Sequence, residues 1–226
     1  MTDWESLSKE HKTQLNHVVT LLHRKYPDLL SRESIAGLVL DSYTRLAARA
    51  TVTKWLVPTA EKLAKERLQA LTLLEAGSTK TIPTVLFLCT HNAGRSQMAL
   101  GWFHHLAGDN AIAWSGGSEP AEELNQVAVK AMDEVGIDIS KGFPKPWTDE
   151  VLAAAHVVIT MGCGDSCPFL PGKDYEEWEV ADPAGQPLEV VETIRDDLEV
   201  RVRDLLVRLG VSADRSSTAN KQTGRL

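Results

Sequence analysis

The chain has 226 residues, of which 43% are hydrophobic and 24% charged, enough apolar material to bury a sizeable core. With 24 Lys+Arg against 31 Asp+Glu its formal charge is −7, which argues against a general nucleic-acid binder, since such proteins carry a basic face. No apolar run approaches the roughly 18 residues that span a bilayer, and the opening "MTDWESLSKEHK" lacks the basic-then-apolar order of a secretory signal.

Read in chain order, the apolar pattern begins with helical period. Trp4, Leu7, His11, Leu15, Val18 and Leu22 form one stripe, which "YPDLLS" breaks. A second runs through Ile35, Leu38, Val39, Tyr43, Leu46 and Ala50. After "WLVPT" a third includes Leu63, Ala64, Leu68, Leu71 and Leu74, with Gly77 as its stop. Residues 1–78 therefore read as a small three-helix bundle.

Around "LLEAGSTKTIPT" the pattern changes. "VLFLC" and "HVVITM" are continuous apolar runs rich in β-branched residues, suited to strands covered on both faces; "AIAWSG" is a shorter candidate and "YEEWEV" a weak one. Helical stretches are expected at 95–107, 121–135, 148–155 and about 188–209. This alternation predicts an α/β unit over 79–211, a four-stranded parallel doubly wound sheet. Residues 212–226 form a polar tail. The acidity belongs to the second part, since residues 1–78 hold 11 basic against 9 acidic residues.

Three cysteines are too few and too uneven for a disulfide scaffold, so the expected compartment is the reducing cytoplasm. Cys89 ends the first strand run and leads into Thr90, His91, Asn92, Ala93, Gly94, Arg95 and Ser96 ahead of a helix. The N–H groups of such a strand-to-helix turn converge and, with the positive end of the helix dipole, form a cradle for an oxyanion. Arg95 adds a planar fork for two oxygens of a tetrahedral anion. A thiol in that field is expected to ionise readily, as cysteines at helix N-termini or beside cations fall from about 8.5 to roughly 3.5–7.5. Ser96 is placed to donate a further hydrogen bond to the sulfur. One loop would supply both nucleophile and anion site.

Cys-x5-Arg-Ser after a short apolar strand resembles the phosphate loop of the low-molecular-weight tyrosine phosphatase fold, and "VLFLCTHNAGRSQMA" is more similar to its arsenate reductase branch. The similarity extends over residues 82–209, including "AWSGGSEPAEELNQVAVKAMDEVGIDIS" and "ADPAG"; the first 78 residues lie outside it. It implies that the loop from Thr90 to Arg95 holds the oxyanion and that Cys89 attacks it. Some relatives bind potassium through an acidic residue after "RSQMA"; Leu100 stands there, so no such site is expected.

"TMGCGDSCP" places Cys163 and Cys167 four residues apart, beyond the strand end that carries the active site in such sheets. On a helical turn that spacing brings two thiols within disulfide reach. Gly162, Gly164 and Pro168 let the segment bend, and a movable thiol facing a reactive one suits thiol exchange. Zinc ligation with His156 and inert buried cysteines are the competing readings. The resemblance implies a relay in which Cys163 attacks the Cys89–arsenic adduct and Cys167 then attacks Cys163. An external dithiol protein, thioredoxin, would re-reduce the product, with no bound cofactor or metal. The same resemblance makes Asp182, in "EVADP", the general acid, which would need burial or the bound anion to favour its protonated form.

A low-molecular-weight tyrosine phosphatase would need only Cys89, Arg95 and Asp182, and a mycothiol-dependent arsenate reductase would not need Cys163 and Cys167. A redox-responsive binding protein is the reading from another class. For the bundle, homodimerisation, docking of a reductase partner and stabilisation all stand open; no nucleic acid or membrane partner is expected.

Overall fold

The computed structural model describes residues 4–51, 53–77, 82–163 and 166–212. Three helices come first, α1 (Lys9–Lys25), α2 (Arg32–Ala47) and α3 (Leu56–Glu75). Ser8 and Ser31 cap the first two, their hydroxyl oxygens accepting the His11 and Ser34 N–H groups at 3.2 and 3.1 Å. Leu15, Val18 and Leu22 meet Ile35, Leu38, Val39, Tyr43 and Leu68 in one buried cluster. Helix α3 starts earlier than the sequence pattern implies. Pro58 sits in its first turn, where a missing N–H has no intrahelical acceptor to lose.

The sheet contains β1 (Thr84–Cys89), β2 (Ile112–Gly117), β3 (Val157–Met161) and β4 (Asp174–Glu177), all parallel, in the order β2-β1-β3-β4. All six residues of β1 are buried because helices cover both faces. Val85, Phe87 and Cys89 share a core with residues of α4 (Arg95–Ala107), α5 (Gln126–Glu134) and α7 (Leu188–Arg208). Leu86 and Leu88 face the other way, toward α6 (Asp149–Ala154) and Ala70 of α3. The last bundle helix is thus also a covering helix of the sheet. Among the described residues no helix is long and apolar enough to cross a membrane.

The helix expected at 121–135 begins only at Gln126. Asn125 caps it, accepting the Val127 and Ala128 N–H groups through Oδ1 at 2.9 and 3.0 Å. The residues before it bond to the first loop instead: Ala121 N–H donates to His91 O and Asn125 N–H to Ala93 O. The fourth strand is shorter than "YEEWEV" and starts one residue earlier. The junction expected at 78/79 and all but the first residue of the expected tail lie outside the described residues.

Candidate active site

Cys89 ends β1, paired in register with Gly117 of β2 and Met161 of β3, at the carboxyl edge of the sheet where the strand order reverses. Its sulfur is free of disulfide, and the residue is 2% exposed. The Asn92 N–H donates to Sγ at 3.2 Å, and Ser96 Oγ lies 3.0 Å from it. The direction of that second bond follows from Asn92. Its Oδ1 accepts the Lys145 N–H at 3.0 Å and Gln97 Nε2 at 3.2 Å, so its amide nitrogen is turned toward Ser96 Oγ, 2.8 Å away. Ser96 accepts that proton and keeps its own for the sulfur.

Asn92 is fully buried with φ +48°, a left-handed conformation that asparagine tolerates better than most side chains. The loop thereby doubles back over Cys89. Among the described residues the N–H groups of His91, Ala93, Gly94 and Arg95 donate no hydrogen bond to protein, which leaves them for an anion. His91 is exposed, its Nδ1 3.1 Å from Glu119 O, and Thr90 Oγ1 donates to Gly162 O at 2.9 Å.

Helix α4 begins at Arg95, whose side chain is 9% exposed and whose Nη2 donates to Asp182 Oδ2 at 2.8 Å. The guanidinium lies against the backbone at the end of β3. A Cβ on Gly162, at φ +71°, would come within 2.7 Å of Nη1, so only glycine lets the fork sit there. The loop bearing Asp182 closes from the other side: a Cβ on Gly94 would stand 2.5 Å from the Pro183 ring. Asn125 Nδ2 ties that loop down by donating to Pro183 O at 3.1 Å. Of the two influences expected to favour the protonated form of Asp182, burial or the bound anion, burial is slight. Its side chain is 46% exposed, and among the described residues Arg95 and the Ala184 N–H engage the carboxylate.

Cys163 and Cys167 form a disulfide with Cα atoms 5.5 Å apart. Cys163 stands two residues beyond Met161, the register partner of Cys89, and is buried, whereas Cys167 is half-buried. Phe169 follows at 77% exposure, stacked on Tyr175. The zinc reading fails on position: His156 precedes β3, at the opposite end of that strand, and is bonded to Thr84. The two cysteines are bonded to each other rather than lying in the core as separate thiols. Two contributors went unseen in the sequence, Gln97 and Lys145. Gln97 is the third residue of α4, and the Lys145 contribution is a main-chain group, which leaves no trace in residue type.

A buried cysteine under a loop of N–H donors, with an arginine at the following helix start bonded to an Asp-Pro loop, defines the phosphatase-like class of oxyanion-handling cysteine enzymes. The chain belongs to the low molecular weight phosphotyrosine protein phosphatase family, whose model matches residues 84–216, and residues 15–72 match a protein-tyrosine-phosphatase-like N-terminal domain. It is similar to a thioredoxin-dependent arsenate reductase of Corynebacterium glutamicum, with 39% identity, a TM-score of 0.79, and coverage of 88% of this chain and 98% of that one. It is 38% identical to an arsenate reductase 2 of Staphylococcus epidermidis over 129 residues, 55% of this chain and 97% of the relative. A putative arsenate reductase of Halobacterium salinarum is 36% identical over 124 residues, 53% of this chain and 87% of that protein.

Proposed function

We propose that this chain reduces arsenate to arsenite in the cytoplasm, as part of arsenic detoxification, with thioredoxin as the external reductant. The observation that carries the reading is the disulfide between Cys163 and Cys167, which begins two residues past the strand partner of a free Cys89. A phosphatase that uses Cys89, Arg95 and Asp182 has no work for that pair, and neither has a mycothiol-dependent reductase. The C. glutamicum structure, which spans both parts of this chain, favours thioredoxin.

On this reading the steps are those that the family resemblance implies, carried by the residues placed above. Arsenate is held by the loop N–H groups and the Arg95 fork, and the Cys89 thiolate attacks arsenic. The leaving hydroxide takes a proton from Asp182 and departs as water. Cys163, as thiolate, attacks Cys89 Sγ; the electron pair of the sulfur–arsenic bond passes to arsenic, which leaves as arsenite, and a Cys89–Cys163 disulfide forms. Cys167 then attacks Cys163, releasing Cys89 as thiolate and moving the disulfide to the half-buried position. Two electrons from the dithiol of thioredoxin reset the pair.

Arsenate-dependent NADPH consumption in the presence of thioredoxin and thioredoxin reductase tests the reading, with mycothiol as the alternative reductant. Turnover that continues undiminished in Cys163→Ser, or that mycothiol sustains and thioredoxin does not, overturns the relay.

A further inference from the structure

The catalytic loop is braced by the N-terminal bundle through residues 141–150. Helix α3 grips that strap at several points. Glu66 Oε1 pairs with Lys145 Nζ at 3.3 Å. Lys62 Nζ donates to Lys141 O at 2.9 Å, and the Lys62 and Lys145 ammonium groups both lie over the Phe143 ring, 5.6 and 4.7 Å from its centre. Arg67, next to Glu66, reaches Glu150 with Nη2 and Nε at 2.7 and 3.2 Å.

The strap meets the site through its main chain. Phe143 O accepts Gln97 Nε2 at 3.2 Å, Lys145 O accepts the Gly117 N–H at 2.9 Å, and the Lys145 N–H donates to Asn92 Oδ1. That last bond, together with the one from Gln97 Nε2 to the same oxygen, fixes which way the Asn92 amide faces, and through Ser96 which proton points at Cys89. The Lys145 side chain is 4% exposed. Burial pushes the Glu66 carboxyl above the ordinary carboxylate range, and the Lys145 charge pulls it back. Apolar side chains would stabilise the Lys145 position as well or better, so stability alone does not account for the pair, whose Glu66 side chain is 25% exposed.

We propose that Glu66 is a positioning residue for Cys89: its ion pair with Lys145 seats the strap so that the Lys145 N–H orients Asn92, and Asn92 orients the Ser96 hydroxyl onto the sulfur. The proposal rests on Cys89 being the nucleophile and gives the N-terminal bundle a part in catalysis.

The test uses the full chain with Cys163→Ser and Cys167→Ser, so that Cys89 is the sole thiol, and measures its alkylation by iodoacetamide at pH 7. Glu66→Gln and Lys145→Met, which keeps the main-chain N–H, each slow alkylation roughly tenfold, the loss expected for one hydrogen bond to a charged group. With Asn92→Gly or Ser96→Ala already present, Glu66→Gln has no further effect, because the route to the sulfur is already cut. An unchanged rate in folded Glu66→Gln, or an equal slowing in the Asn92→Gly background, overturns the proposal. Should Glu66→Gln fail to fold, the same criteria apply to Lys145→Met. Alkylation needs no arsenate, so a chain that brakes as described yet reduces no arsenate refutes the function above and leaves the brace standing.

Discussion

Asp182 Oδ2 and Arg95 Nη2 lie 2.8 Å apart, so the proposed proton donor and the proposed anion-gripping fork are bonded to one another across 87 residues of sequence. An oxyanion that takes both nitrogens of the fork competes with the Asp182 carboxylate for it, and the two negative groups then stand close together. Asp182→Asn removes the competing charge together with the proton. The expected outcome is a kcat lower by about two orders of magnitude, with inorganic phosphate inhibiting no more weakly than in the wild type. Steady-state kinetics with phosphate as competitor separate the two effects. If kcat and phosphate affinity fall together, Asp182 serves to hold the loop rather than to deliver a proton.

The relay makes the second and third cysteines distinguishable. Cys167→Ser should yield one arsenite per chain and stop with Cys89 and Cys163 joined, two hydrogens lighter by intact mass. Cys163→Ser should form no intramolecular disulfide at all. Quantifying arsenite beside the protein mass checks both. A Cys167→Ser variant that turns over repeatedly with thioredoxin would mean that the first disulfide is reduced directly.

Asn92 combines a left-handed backbone with three side-chain hydrogen bonds, to Ser96, Gln97 and Lys145. Asn92→Gly keeps the backbone at ease and loses the bonds, a destabilisation of about 1–3 kcal/mol. Asn92→Ala adds roughly 1 kcal/mol, because its Cβ resists the left-handed region without a polar group to compensate. Denaturant unfolding orders the three proteins; Ala as stable as Gly would show that the loop relaxes to another conformation.

Arg67 predicts an acid sensitivity. It pairs with Glu150 and with Asp41 Oδ2, joining α2, α3 and α6. Burial, the largest single influence, would raise the Glu150 carboxyl from its ordinary 4.5, but the Arg67 hydrogen bonds and charge, with the backbone N–H and Thr148, together outweigh it and hold it lower. At Asp41, burial likewise loses to Arg45 and Arg67, which keep the group below its ordinary 3.8. The folded chain therefore binds fewer protons at these sites than the unfolded chain does. Their stabilisation is complete above pH 4.5 and is lost as pH falls through the lower folded values. Thermal melts from pH 6 downward should show Tm falling below that point. Glu150→Gln should flatten part of the fall and cost about 1–3 kcal/mol at neutral pH. An unaltered acid slope in Glu150→Gln would place the sensitivity elsewhere.

Much of this site can be read from one stretch of sequence. From Cys89 to Ser96 the nucleophile, the N–H nest and the fork are neighbours along the chain, and a strand followed by a helix folds them together with little help. Asn92 also carries a local signal, since asparagine inside a tight loop is a frequent occupant of left-handed backbone. The role of α3 has no such signal. Its apolar stripe announces a helix with a buried face, but Ala70, on the sheet-facing side, is too small and too common to announce a second one. The stretch 121–125 reads as helix by periodicity and is loop because its main chain is engaged by His91 and Ala93.

Sequence alone therefore determined the alternation of strands and helices, the chemistry of the loop after β1, and the presence of two further thiols in a pliable segment, because periodicity and local turn chemistry act within a few residues. Tertiary structure alone decided that Asp182 meets Arg95, that the strand leading to Cys163 and Cys167 pairs with the one ending in Cys89, and that Lys145 bonds Asn92 from 53 residues away. Those meetings depend on which strand ends lie side by side in the sheet and on which main-chain groups are left facing one another, and neither is encoded in the type of any single residue.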